Sequence, residues 1–206
     1  TFYLARECGF ENINTDLMFA VPGHTMEIWE ETLHRITELS PEHISFYSLQ
    51  IEEGTPYYRM FEEGRLDQIS DEQDRKMYHR AIELLRESGY EQYEISSAAK
   101  PGRQCRHNLK YWSLNDYLGI GSGASHENTA EDDMSEFVFT GLRKVCGISL
   151  GEFEERFGRD FWEVYAGCRT ELLPFIEKGL LIEDAGRLRL SEAGFDISNT
   201  VMAVFV

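Results

Sequence analysis

Cysteine is scarce and scattered. Cys8, Cys105, Cys146 and Cys168 form no CxxC pair and no framework spacing. That excludes a disulfide scaffold and reads as free thiols in a reducing cytoplasm. Basic residues are also few: 20 Lys and Arg face 37 Asp and Glu, a formal net charge of -17. Such a surface repels nucleic acid and anionic lipid heads, so neither is an expected partner. No apolar run approaches the roughly 20 residues of a membrane span. No signal peptide is visible, because the amino end reads as the tail of a helix.

One absence is local. No carboxylate falls between Glu94 and Asp116, although the chain is strongly acidic. The gap holds Lys100, Arg103, Arg106 and Lys110, with His107, Asn108, Tyr111 and Trp112 among them. A positive island on a negative protein points to a fixed anionic partner. The histidine and the two large aromatics give that partner a flat, apolar body.

What is present is enough for a core: 206 residues, 42% of them hydrophobic. Up to about residue 126 the pattern alternates strand and helix. Ile13 to Val21 predicts a buried parallel strand, and Thr25 caps a helix from Met26 to Leu39. Ile44 to Ile51 predicts a second strand, Tyr57 to Arg65 a short helix or turn, and Ser70 caps a helix from Asp71 to Ser88. Tyr90 to Ser96 predicts a third strand, the basic island the next loop, and Tyr117 to Ile120 a fourth strand. Repeated strand-helix-strand units predict a parallel β/α architecture with active groups at the carboxyl ends of the strands. The loops after residues 21, 51, 96 and 121 should then share one rim. Beyond that lie a helix from Met134 to Cys146, a short helix capped by Ser149, and a long helix from Asp160 to Lys178. A hairpin about Asp184-Ala185-Gly186 and a last helix complete a winged-helix-like domain. Its long helix carries Glu163, Glu171 and Glu177, which argues for docking or lid work and against DNA.

Several side chains allow more than one reading. Asp16 is either a strand-end anchor for a loop or an acceptor for a ligand's hydroxyl or ammonium groups, since burying a carboxylate unpaired is costly. Gln50 lies near the carboxyl end of the second strand, where a backbone-satisfying role is equally open. Gly119 to Ser125 is glycine-rich without a P-loop lysine, so it excludes triphosphate binding and allows close approach to a flat ligand. His107 is an iron ligand, a hydrogen-bond donor or a structural cap. Arg103 and Arg106 suit carboxylates such as porphyrin propionates, whereas Tyr111 and Trp112 are site or core. Glu72, Asp74, Arg75 and Lys76 read as a solvated helix face.

The motifs taken together resemble a known family. They are Asn12 to Met18 with Val21-Pro22-Gly23-His24-Thr25, Pro41 to Ser45 with Tyr47-Ser48-Leu49, and Glu53-Gly54-Thr55-Pro56. Gly89-Tyr90 with Tyr93 to Ser96, Arg106-His107-Asn108-Leu109-Lys110-Tyr111-Trp112, Asp116 to Gly121, and the helix from Glu136-Phe137 to Arg143 complete the set. They resemble the radical S-adenosylmethionine family that holds oxygen-independent coproporphyrinogen III oxidase and the HemW type of haem chaperone. The HNxxYW element is similar to the chaperone branch.

The resemblance implies an α/β fold: the carboxyl-terminal part of a partial (β/α) TIM-like barrel over residues 1–126. A small α+β winged-helix-like domain is implied over residues 127–206. It implies a four-iron four-sulfur cluster and S-adenosylmethionine, with Asp16 contacting ribose and Gln50 and Ser125 contacting the same cofactor. His107 matches the histidine of the haem-associated motif, and Asn108, Tyr111, Trp112, Arg103 and Arg106 accompany it around haem or porphyrin. The family's three-cysteine cluster motif is absent, and Ala20 and His24 replace a Gly and a Gln common in the family. The expectation is therefore a carboxyl-terminal fragment, short of a stretch after Ser125, with no catalytic residue of its own and no activity alone. Haem-binding chaperone is the first functional expectation. The alternatives are an authentic oxidase decarboxylating coproporphyrinogen, and a non-catalytic scaffold delivering haem to respiratory proteins.

Overall fold

The computed structural model describes residues 1–115 and 130–206. Two compact units divide the chain: residues 1–92 with 96–104, and residues 93–95 with 105–206. The domain boundary expected at 126/127, the fourth strand and the glycine-rich segment all lie outside the described residues.

The first unit runs α1 (Phe2–Glu7), β1 (Asn14–Phe19), α2 (Met26–Leu39), β2 (His43–Ser48), α3 (Pro56–Glu62) and α4 (Asp71–Glu87). The chain continues into β3 (Glu91–Glu94) and β4 (Ser97–Ala99), and the sheet order is β1-β2-β4-β3. The caps read from sequence are present: Thr25 Oγ1 accepts from the Ile28 N–H at 3.3 Å, and Ser70 Oγ from the Gln73 N–H at 3.3 Å. Each satisfies an orphan amide of the first helical turn. Strands β1 and β2 are parallel, in register from Asn14↔His43 to Phe19↔Ser48.

Helices α2 and α4 cover one face of this pair. Phe19 stacks at 5.4 Å from Trp29 and 6.4 Å from Tyr78, and Phe46 at 5.8 Å from Tyr78. Trp29 is fully buried and its indole N–H donates to the Met77 carbonyl at 2.8 Å. Burial of Leu17 and Phe19 alternates with exposure of Asn14, Asp16 and Met18 along β1. Side chains alternate across a strand, so the residues skipped by the core line the opposite, open face.

Two expectations change here. The predicted strand 90–96 is broken at Ile95–Ser96 into β3 and β4, and β4 runs antiparallel to β2 with His43↔Ala99 and Ser45↔Ser97. A periodic apolar run signals a strand and carries no direction. In consequence the segment after β4 leaves at the amino-terminal end of β2, where the Lys100 N–H donates to the Glu42 carbonyl at 3.0 Å. It does not join the rim at residues 21–24 and 50–55.

The second unit contains α5 (Arg106–Trp112), α6 (Ala130–Gly141), β5 (Ile148–Ser149), α7 (Leu150–Phe157), α8 (Phe161–Val164) and α9 (Arg169–Glu177). The hairpin β6 (Leu181–Asp184) and β7 (Arg187–Leu190) and the helix α10 (Ser198–Met202) complete it. The basic island, expected as a loop, forms α5 in its second half. The helix expected to reach Cys146 stops at Gly141, because residues 143–145 extend against 93–95: the Ile95 N–H donates to the Arg143 carbonyl, and the Val145 N–H to the Tyr93 carbonyl, each at 3.0 Å. The helix expected over 160–178 is broken by a 3-10 turn at Ala166–Cys168, centred on Gly167. The last helix is likewise interrupted by 3-10 turns at Ala193–Ile197 and Ala203–Phe205.

The hairpin turn has φ of 50° at Ala185 and 73° at Gly186, the two positive values of a type I′ connection. With β5 it gives a three-stranded sheet ordered β5-β7-β6. Its core is aromatic: Phe153 lies 5.8 Å from Phe137 and 5.1 Å from Phe161, and Tyr165 lies 5.2 Å from Phe205.

Candidate functional site

The face of β1 and β2 opposite Leu17 and Phe19 carries the first group of polar side chains, exposed on β1 and buried on β2 at His43 and Ser45. Asp16, read from sequence as a carboxylate in an apolar strand, is exposed on that face and accepts from Asn14 Nδ2 at 2.8 Å. Asn14 Oδ1 meets His43 Nδ1 at 2.7 Å and accepts from Ser45 Oγ at 3.3 Å. His43 is only 5% exposed; burial lowers its pKa, and the Asp16 charge opposes that shift. Sequence reasoning missed Asn14, His43 and Ser45. The signal lay in the i, i+2 spacing of Asn14 with Asp16 and of His43 with Ser45, but it needed the β1/β2 register to become a cluster.

Gln50 is two residues beyond β2 and exposed in the following loop; the strand expected to reach residue 51 ends at Ser48. On the same carboxyl-terminal side a cavity of about 210 Å³ is lined by Ala20, Pro22, Ser48, Ile51, Asp71 and Asp74, among others. Ser48 Oγ donates to Asp74, whose side chain is 16% exposed. Asp74 therefore leaves the solvated helix face to which its sequence context assigned it. His24, at the entrance to α2, has its Nδ1 buried without a hydrogen-bond partner, and burial lowers its pKa.

The second group sits on α5. Seven residues at 100° per step split its side chains cleanly. Arg106, His107, Lys110 and Tyr111 are exposed, whereas Asn108, Leu109 and Trp112 turn inward and are half-buried. His107 and Tyr111 are one turn apart on the outward face. The Arg143 guanidinium covers the Trp112 ring at 4.4 Å, and Arg143 stands 3.9 Å from the buried Glu94 carboxylate. Lys144, buried beside them, donates to Ser113 Oγ at 3.0 Å; burial lowers its pKa. This set anchors the carboxyl end of α5. The structure thus separates the six residues expected around haem: Arg106, His107 and Tyr111 share an exposed face, Asn108 and Trp112 face inward, and Arg103 belongs to the other unit. Lys100 is also withdrawn from the island, since its ammonium donates to the carbonyl and hydroxyl of Ser40, each at 2.8 Å.

Ser125 lies outside the described residues. The four cysteines are separate free thiols, and among the described residues no three His, Cys, Asp or Glu side chains gather as a metal site. An iron-sulfur cluster needs converging thiolates. These donors do not fit one, so cleavage of S-adenosylmethionine is not assigned to them. No described helix is long and apolar enough to cross a membrane.

Comparison with known proteins adds four findings. The profile of the HemN C-terminal domain matches residues 128–197. The heme chaperone HemW of Bacillus subtilis is 34% identical, across all of this chain and 62% of that protein. The heme chaperone HemW of Haemophilus influenzae is 43% identical, across 98% of this chain and 59% of that protein. The Escherichia coli structure described as coproporphyrinogen III oxidase (HemN), a radical SAM enzyme, superposes with a TM-score of 0.76 at 19% identity, covering 99% of this chain and 57% of that one. That likeness concerns the fold. The chain spans about three fifths of the length of these relatives.

Proposed function

The chain belongs to the radical S-adenosylmethionine family of HemN and HemW, and on that premise we propose that it binds haem as part of a HemW-like chaperone. The observation that carries the reading is the outward face of α5. It sets His107 and Tyr111 one turn apart with Arg106 and Lys110 beside them, on a chain whose net charge is -17. The imidazole supplies a ligand for iron or a hydrogen-bond donor. Tyr111 offers an aromatic surface to the ring, and the two cations attract propionates. Arg143 and Trp112 hold the helix from its inner side. Identity of 34% and 43% to heme chaperones across nearly the whole chain supports the chaperone branch.

In the same reading, Asp16 contacts the ribose of S-adenosylmethionine, and Gln50 and Ser125 contact the same cofactor. The bound haem passes to respiratory haem proteins, and the four free thiols suit a reducing, cytoplasmic setting. Titration of haem into the chain, followed at the Soret band, tests the proposal. His107→Ala should lose most of the affinity, and Arg106→Ala with Lys110→Ala should weaken it in a salt-dependent way. Superimposable titrations of the parent and His107→Ala chains would remove His107 from the site.

A further inference from the structure

The polar side chains on this face of β1 and β2 form a directional chain, and hydrogen-bond logic orients every link. The Asp16 carboxylate only accepts, so Asn14 must turn its NH₂ group toward it, at 2.8 Å. The Asn14 carbonyl oxygen is then aimed at β2, where it too can only accept. Ser45 Oγ donates to it at 3.3 Å, and the ring nitrogen at 2.7 Å, His43 Nδ1, must carry a proton. The pairings Asn14↔His43 and Asp16↔Ser45 make these groups neighbours across two parallel strands. His43 and Ser45 are buried, so the donors are fixed in place, whereas Asp16 at the end of the chain is exposed. Burial lowers the His43 pKa, which favours the neutral ring, and a neutral ring with the proton on Nδ1 still donates. Among the described residues no Lys or Arg pairs with Asp16, so the arrangement aims the carboxylate without neutralising it.

We propose that Asn14, locked by His43 and Ser45, is a positioning residue that holds one oxygen of Asp16 and presents the other to a ribose hydroxyl of a nucleoside ligand. The inference rests on the reading of Asp16 given under Proposed function. A carboxylate that rotates freely loses part of its discrimination for a hydroxyl, because the bond must then be formed at the cost of ordering the side chain. Fixing it in advance gives selectivity for the hydroxylated sugar.

Calorimetric titration of the chain with S-adenosylmethionine and with its 2′,3′-dideoxy analogue separates the possibilities. The parent chain should prefer the natural ligand. Asn14→Leu should reduce that preference about fivefold or more, the worth of one hydrogen bond. His43→Phe should act in the same direction, and His43→Gln, whose amide can donate to Asn14, should restore most of the preference. A merely structural role would weaken both ligands alike and leave their ratio unchanged. If Asp16→Ala removes the preference while Asn14→Leu leaves it intact, the positioning role is wrong and the reading of Asp16 stands. If Asp16→Ala leaves the ratio unchanged, or the parent chain binds neither ligand, the reading itself fails and the inference with it. A measurement on the parent chain needs no variant: ¹⁵N spectra of the His43 ring at neutral pH should show protonated Nδ1, and a proton on Nε2 alone would overturn the chain of donors.

Discussion

Removing the charge of Glu42 should loosen the amino-terminal end of the first unit, by an amount the geometry bounds. The carboxylate is 12% exposed and accepts from the Arg6 guanidinium at 2.7 and 2.9 Å and from the Ile13 N–H at 3.0 Å. Lys100 Nζ stands 3.6 Å away. One side chain thereby joins α1, the entry to β1, the entry to β2 and the exit from β4. Glu42→Gln keeps the shape, removes the charge and turns one oxygen into a donor facing donors. Hydrogen bonds to charged groups contribute about 1.5–3 kcal/mol each, and they are not additive. Arg6 is 28% exposed, so its share is discounted for solvent. The expected loss is about 2–3 kcal/mol.

The pH dependence gives an independent check. Burial pushes the Glu42 carboxyl up; the Ile13 N–H, the bond and charge of Arg6 and the charge of Lys100 together outweigh it and hold the pKa below its ordinary 4.5. A depressed carboxylate contributes stability that is complete above its unfolded pKa and disappears as pH falls through the lower folded value. The gap between parent and Glu42→Gln chains should therefore be constant above pH 4.5 and narrow below it. Urea unfolding followed by circular dichroism across that range reads both quantities. A gap near neutral pH under about 0.5 kcal/mol, the scatter of ordinary surface changes, would refute the reasoning. So would a gap that persists undiminished into acid.

Two further perturbations test the packing. Gly147→Ala places a Cβ 2.1 Å from the Leu188 carbonyl oxygen at a φ of 63°, so the β5–β7 pairing must open. The cost should exceed about 3 kcal/mol in a thermal melt, whereas Gly158→Ala, whose Cβ meets open space, should cost only about 1 kcal/mol. Trp29→Phe removes the buried bond to the Met77 carbonyl and leaves a void between α2, α4 and β1. About 2 kcal/mol should be lost, read as a lower urea midpoint with an unchanged m-value.

The helix starts were legible because caps are local chemistry. Thr25, Ser70 and Ser149 each accept from an amide three residues on, so the side chain and its target lie in one short word of sequence; Thr55 caps α3 in the same way and was not read as a cap. The hairpin turn about Asp184-Ala185-Gly186 was legible for the same reason. The long helix over 160–178 was overextended, because its apolar spacing continues across Gly167 while the backbone does not. Placement of Asp16 on an exposed face was equally out of reach. A mostly apolar strand reads as buried on both sides, and only the positions of α2 and α4 show that one side is covered.

Within the candidate sites the division is similar. The absence of acid between Glu94 and Asp116 located the basic segment, and its residue types pointed to an acidic, flat partner. Tertiary structure then sorted that segment. Helical twist turned His107 and Tyr111 outward and Trp112 inward, the antiparallel course of β4 carried Arg103 to the amino-terminal end of β2, and Ser40 took the ammonium of Lys100. Composition, local caps and the family motifs are properties of neighbouring residues, so the chain determined them alone. Strand direction, the exposed side of a sheet and the pairing of Asn14 with His43 depend on residues far apart in the chain, 29 positions for that pair, and only folding brings these into register.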